Sequence, residues 1–132
     1  MKYDDFKKLA AAPVRKPRRD IEHRIQSSFV RWFRVVHPQL ASLLIAVPNA
    51  AKRSARMGAY MKEEGMVAGA ADLLLLVSRH GYGSLAIETK TPKGRQQSTQ
   101  KEWQQSFCQA GNKYVICRSL EDFMKEIKEY LQ

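Results

Sequence analysis

A β-hairpin at the centre of the chain places the strongest constraint on the fold, because both of its strands end in charged residues. Asp72 opens an apolar run that continues to Val77, the residues around His80 are typical of a turn, and residues 84–90 form the returning strand. When the turn is symmetric about His80, residues equally distant from it pair across the hairpin. Asp72 then lies directly opposite Glu88.

Two carboxylates that face each other across a hairpin require a positive partner. Directly opposed side chains on antiparallel strands have their Cβ atoms about 5 Å apart, and like charges at that distance destabilise the pair. A divalent cation that prefers hard oxygen ligands can offset the repulsion. This prediction depends on the register, since a slip of one residue puts Asp72 and Glu88 on different faces.

Lys90 extends the same candidate site. It lies two residues after Glu88, so it shares a face with Glu88 at a Cα separation of roughly 7 Å. An ammonium group there can hold a scissile phosphate or help to deprotonate an attacking water, while a divalent metal lowers the pKa of that water. A Glu-x-Lys sequence also forms a surface salt bridge, so the residues alone leave both interpretations open.

The surrounding pattern predicts an α/β domain with a mixed sheet and helices on its faces. Asp20 is a candidate N-cap for the first helix, which Pro38 ends. We interpret Trp32, Trp103 and Phe107 as core residues and not as base-stacking platforms. The predicted elements in order are the first helix, a strand at 43–47, a partly helical insertion at 50–64, the two hairpin strands, a helix through Gln100 that Gly111 caps, a strand at 113–118 and a helix at 120–131.

Charge and length restrict the function classes. The 132 residues fit one domain, and no apolar run reaches the roughly 18 to 20 residues of a membrane span. The N-terminus has no apolar signal core, so we expect a cytoplasmic protein. A net charge of +10 favours a polyanionic partner such as DNA, although an ordinary basic protein remains the alternative. Residues 1–19 form a basic arm that either contacts phosphates or is a solvated tail, and residues 20–132 form the domain.

The hairpin residues resemble a known enzyme group. Asp72 followed by Glu88-Thr89-Lys90, with Gly69 before and Gln100 after, is similar to the PD-(D/E)xK nuclease superfamily. Within it, the chain resembles the small stand-alone form of the virus-type replication-repair nuclease (VRR-NUC) domain over about residues 20 to 131. The further motifs that carry this resemblance are Glu22 with Gln26, Val47-Pro48-Asn49, Gly65, Gln100-x-x-Trp103, and Gly111 before the strand at 114–117.

The resemblance implies a restriction-endonuclease-like core of the order α-β-β-β-α-β and assigns roles to single residues. Asp72, Glu88 and the backbone carbonyl of Thr89 would ligate Mg²⁺ or Mn²⁺, and Lys90 would be the catalytic lysine. Glu22 would reach the metal, through a water or from farther away, although a helix-surface glutamate is the alternative. Gln100 would lie near the lysine and the scissile phosphate, and Gln26 is a weaker candidate. Ala71 departs from the family, which usually has proline before the metal aspartate.

The resemblance also implies a substrate and an assembly. Small stand-alone members behave as homodimeric endonucleases that resolve four-way (Holliday) junctions in DNA repair, in a phage or mobile-element setting. Two alternatives remain: a DNA-binding module without cleavage, and a nuclease acting on flaps or 5′ ends. Basic residues on the insertion and after the catalytic strand would contact DNA, unless they are only solvated. These residues are Lys52, Arg53, Arg56, Lys93, Arg95 and Lys101.

Overall fold

The computed structural model describes residues 2–5, 18–48 and 54–132, with the backbone alone at 18 and 19. Its elements in chain order are α1 (Arg18–Val36), a 3-10 helix (Pro38–Leu43), β1 (Leu44–Ala46), α2 (Ala55–Glu63), β2 (Leu73–Leu75), β3 (Leu85–Thr89), α3 (Ser98–Gln109), β4 (Lys113–Cys117) and α4 (Leu120–Leu131). The predicted α/β order is confirmed, and the 3-10 helix is an addition. Within the described ranges, no helix is both long and apolar enough to cross a bilayer.

The start of α1 differs from the prediction. The helix begins at Arg18, so Asp20 lies in its first turn and not at its N-cap. A carboxylate in the first turn still interacts favourably with the positive end of the helix dipole.

The N-terminal residues 2–5 lie near the last helix. Tyr3 packs partly buried against the hydrophobic core, and this burial together with Glu121 raises the pKa of Tyr3 to about 12. Residues 6–17, which make up most of the predicted basic arm, lie outside the described part of the chain.

The four strands form one mixed sheet in the order β1-β2-β3-β4, with β3 and β4 parallel and the other two pairs antiparallel. Leu73 pairs with Ile87 and Leu75 with Leu85, which confirms the predicted register of the hairpin. Continued by one pair, this register sets Asp72 opposite Glu88.

The hairpin turn itself differs from the prediction. Arg79 pairs with Tyr82, so the turn is centred on the His80–Gly81 bond and is not symmetric about His80. Both central residues have positive φ, 53° and 82°, as a two-residue type I′ turn requires. One extra residue on the β2 side, between Leu75 and Arg79, restores the register that the strands follow.

One face of the sheet carries the hydrophobic core. Alternate side chains of β2 and β3, such as Leu73 and Ile87, are buried against α1 and α4. The rings of Phe29 on α1 and Phe123 on α4 stack 4.5 Å apart, and the Tyr130 hydroxyl donates a 2.6 Å hydrogen bond to the carbonyl of Val77. These contacts tie both helices to the hairpin.

The opposite face of the sheet packs against α3 and carries the polar residues. By the strand registers, Asp72, Glu88 and Tyr114 all point to this side. Trp103 of α3 lies 6.2 Å from the Tyr114 ring and stacks on Phe107 at 4.6 Å. Trp32 is buried as predicted, whereas Trp103 and Phe107 are partly exposed and pack outside the main core. The interpretation of these two residues as core was therefore wrong.

Gly69 fixes how closely the segment before Asp72 approaches α3. Its φ is 85°, and a Cβ atom built on it would lie 2.3 Å from the carbonyl oxygen of Thr99. Only a residue without a side chain fits there, so the first turn of α3 can press directly against the chain that leads to Asp72.

Replacement of Gly69 by alanine is expected to lower the free energy of unfolding by about 2 to 4 kcal/mol, because left-handed strain adds to the backbone clash. Urea unfolding followed by circular dichroism measures this change. Gly65→Ala is the matched control, since Gly65 has a φ of 110° but a Cβ atom added to it would meet nothing within 4 Å. Equal losses in the two variants would show that the contact with Thr99 carries no energy.

Candidate active site

One cavity of about 640 Å³ brings together the five residues that the sequence proposed as catalytic. Lys90 and Glu88 reach it from the end of β3, and Asp72 reaches it from the start of β2. Gln100 enters from the first turn of α3, and Glu22 enters from α1. Residues from distant parts of the chain thus line one shared space, and their catalytic roles remain predictions.

Glu88 is the most enclosed charged group of the cavity. It is 2% exposed, and its Oε1 accepts a 2.9 Å hydrogen bond from the side-chain amide of Gln100. The Tyr114 hydroxyl donates to Oε2 at 3.4 Å. Burial, followed by the nearby Asp72 carboxylate, raises the pKa of Glu88 to about 9, while Lys90 and Tyr114 act in the opposite direction. The cavity therefore favours an additional positive charge beside these carboxyl groups.

Asp72 is held by the neighbouring strand. Its Oδ2 accepts a 2.8 Å hydrogen bond from the backbone N–H of Thr89. This bond brings the Thr89 backbone to the site and fixes the Asp72 carboxyl group next to Glu88. The role of the Thr89 carbonyl as a metal ligand stays a prediction.

The donor set fits a small, hard divalent cation. Asp72 and Glu88 provide carboxylate oxygens in one cavity, and Mg²⁺ typically takes one or two protein carboxylates while it keeps several waters. Among the described residues, no three His, Cys, Asp or Glu side chains are close enough together to hold a metal ion. Glu22 lines the cavity without joining the two carboxylates in such a group, and its role toward a metal stays a prediction.

Lys90 is buried together with Glu88 and is not part of a surface salt bridge. Its ammonium lies 3.8 Å from Glu88 Oε1, and the residue is only 6% exposed. The alternative of a solvated Glu-x-Lys pair is thus wrong for this chain. A buried cation facing an open cavity is suited to an anionic ligand.

Gln100 connects the start of α3 to the carboxylates. Its Oε1 accepts from the backbone N–H of Gln97 at 2.8 Å as part of a capping box, and its Nε2 donates to Glu88. The N-terminus of α3, with Gln97 and Thr99, also lines the cavity. The helix dipole at this end favours a phosphate.

Three further residues belong to the site, and sequence reasoning missed them. Gln96 donates hydrogen bonds to the Tyr114 hydroxyl at 3.2 Å and to Gln104 at 2.7 Å, so it orients the phenol that contacts Glu88. Lys62 lines the cavity from α2. The register between β3 and β4 is the signal that finds Tyr114, because it pairs with Ala86 two residues before Glu88.

Four of the predicted DNA-binding residues fall within the described part of the chain, and none of these four lines the cavity. Arg56, Lys93, Arg95 and Lys101 are exposed to solvent, so a large ligand can reach them. Lys52 and Arg53 lie outside the described residues, as does Asn49 of the Val47-Pro48-Asn49 motif. Gln26 lies on α1 and does not line the cavity.

Comparison with known proteins identifies a single family. The sequence model of the VRR-NUC domain matches residues 12–121. The fold is similar to that of a solved VRR_NUC domain protein, with a TM-score of 0.74 and 20% sequence identity over 89% of this chain and 91% of the other. No curated protein sequence shows a significant match.

Proposed function

The chain belongs to the VRR-NUC domain family, and we propose that it is a divalent-metal-dependent endonuclease that hydrolyses phosphodiester bonds in branched DNA. Membership of this family implies a nuclease-type function in DNA processing. The observation that supports the specific mechanism is the buried Glu88 carboxylate, beside Asp72 and 3.8 Å from the Lys90 ammonium. A protein that only binds DNA gains nothing from two carboxylates in a phosphate-binding cavity, since both repel the ligand.

Asp72 and Glu88 are proposed to hold Mg²⁺ or Mn²⁺, with the carbonyl of Thr89 and, through a water, Glu22. The bound ion would supply Lewis-acid stabilisation of phosphoryl charge and a nucleophile at neutral pH. The hydrogen bonds from Thr89 to Asp72 and from Gln100 to Glu88 would keep both carboxyl groups in place for this role.

Lys90 is proposed as the catalytic residue that contacts the scissile phosphate. Its ammonium can orient an attacking water, donate to a phosphoryl oxygen and stabilise the negative charge that develops there. The N-terminus of α3 would stabilise the same phosphate from another side. Lys90 is already enclosed at the cavity wall.

A homodimer that resolves four-way junctions is the proposed assembly. A two-fold dimer presents two active sites to a two-fold symmetric junction, and one chain of 132 residues covers little duplex. Tyr60 on α2 is a candidate for the dimer surface, since it is 61% exposed. The DNA would be bound by the basic residues Lys52, Arg53, Arg56, Lys93, Arg95 and Lys101.

Cleavage of four labelled DNA substrates tests this proposal: a four-way junction, a flap, a continuous duplex and a single strand. We expect symmetric junction cleavage with Mg²⁺ or Mn²⁺, none with EDTA, and none in the Asp72→Asn variant. Preference for the flap would retain the mechanism and overturn junction resolution. Junction binding without cleavage by either metal would assign the chain to the non-catalytic alternative.

A further inference from the structure

A second recess, here called the apolar groove, adjoins the catalytic cavity. Its volume is about 450 Å³, within the usual range of pockets for small ligands. Pro48, Val67 and Ala70 line both the groove and the cavity, so the two spaces share part of their wall. A ligand bound at Asp72 and Glu88 therefore lies next to the groove.

The groove is lined mainly by apolar residues, whereas the cavity is lined by several charged and polar ones. Trp103, Met61 and Met66 supply an aromatic ring and two polarisable thioethers. Phe107 stacks on the Trp103 ring with the ring centroids 4.6 Å apart. Glu64 adds a carboxylate that can accept a hydrogen bond from an amino group.

We propose that the apolar groove is a nucleobase subsite, in which the base next to the scissile phosphate packs against Trp103. The inference rests on the proposed nuclease function. A nucleotide carries an anionic phosphate and an aromatic base joined by a short sugar, and the paired recesses offer that combination. Lys90 and Lys62 line the first space, and Trp103 lines the second.

The subsite defines the substrate class. A base that is stacked and paired inside a continuous duplex cannot enter a recess in the protein surface without first leaving the helix, which costs free energy. Nucleotides at a branch point or in a single strand are already unstacked or easily unstacked. The groove therefore selects DNA in which the nucleotide at the cut is unpaired or easily unstacked.

The test compares two short single strands of equal charge, a thymidine oligonucleotide and an oligonucleotide of abasic sites. Their affinities are measured by fluorescence anisotropy with Mg²⁺ in the full-length Lys90→Ala protein, so that the strands stay intact. We expect the base-bearing strand to bind about tenfold more tightly, as is typical of base–aromatic stacking. Trp103→Leu should bring this ratio close to one.

Phe107→Leu is the matched control, because it removes the same ring stack but leaves Trp103 in the groove, and it should keep the ratio. Met66→Gln changes the lining of the groove and leaves the Trp103–Phe107 stack intact. It serves as the second variant if Trp103→Leu fails to fold, and it should also lower the ratio of the two affinities. A ratio near one in the parent protein would overturn the subsite. So would a ratio that survives in the folded groove variants.

The same proteins distinguish the nucleobase subsite from the nuclease function on which it rests. They also distinguish a nucleobase from a second copy of the chain as the occupant of the groove. Normal junction cleavage by the wild-type chain with a ratio of one would refute the subsite alone. Absence of cleavage with a ratio of ten would refute the nuclease and leave a base-binding groove. A dimeric mass in sedimentation that becomes monomeric in Met66→Gln would assign the groove to a second copy of the chain.

Discussion

Replacement of Lys90 by alanine is expected to slow phosphodiester cleavage by about 10²- to 10⁴-fold, the range for loss of one positioned catalytic group. DNA binding should change little, because one phosphate contact among many supplies a small share of the affinity. The ammonium of Lys90 lies in the cavity beside Glu88 and is shielded from solvent. No other described residue offers a cation at that point of the cavity wall except Lys62, which enters from α2.

Single-turnover cleavage of the junction and anisotropy of the uncleaved complex measure the two effects separately. Lys101→Ala is the matched control, since it removes an equal charge from the exposed surface of α3. Lys90→Met keeps the aliphatic stem of the side chain, so it distinguishes lost chemistry from lost packing. An equal fall of the cleavage rate in the Lys90 and Lys101 variants would show that Lys90 contributes only its positive charge and has no specific catalytic role.

The parts of the fold that follow from local patterns were predictable. The register of the hairpin depends on a period of two and on two strands close in sequence, so Asp72, Glu88 and Lys90 could be placed on one face. The position of the turn was harder to predict than the register. The first central residue of the turn has a positive φ and is His80, whereas such turns favour Asn, Asp or Gly there. The extra residue before Arg79 left the strand register unchanged.

Contacts between elements that are distant in sequence could not be predicted from local sequence patterns. Gln100 meets Glu88 only because α3 packs across the sheet, and its role came from the family resemblance. Tyr114 lies on β4, which pairs with β3 after a helical crossover, and no local signal sets that parallel register. Trp103 looked like core because its spacing is helical and apolar, yet periodicity does not distinguish a core-facing stripe from one that lines a groove.

Replacement of Glu88 by glutamine is expected to stabilise the metal-free protein while it abolishes cleavage. Burial and Asp72 raise the pKa of Glu88 from 4.5 to about 9, so the folded chain binds this proton more tightly than the unfolded chain does. Stability of the metal-free wild type should therefore fall as the pH rises from about 5 towards 9. Glutamine avoids this cost, because it is neutral and its Oε1 can still accept the hydrogen bond from Gln100.

The gain should be roughly 1 to 3 kcal/mol at pH 8 in EDTA, because the folded wild type must either take up a proton at Glu88 or bury its charge, and glutamine does neither. Thermal unfolding across this pH range measures it, and addition of Mg²⁺ should raise the melting temperature of the wild type but not of Glu88→Gln. Glu126→Gln is the control, since Glu126 is only half-buried, 4.0 Å from Lys113, and its loss should change stability by less than about 0.5 kcal/mol. A Glu88→Gln protein less stable than the wild type at pH 8 would mean that Lys90 fully compensates the buried carboxylate. In that case the cavity holds a balanced ion pair and has no need of a cation.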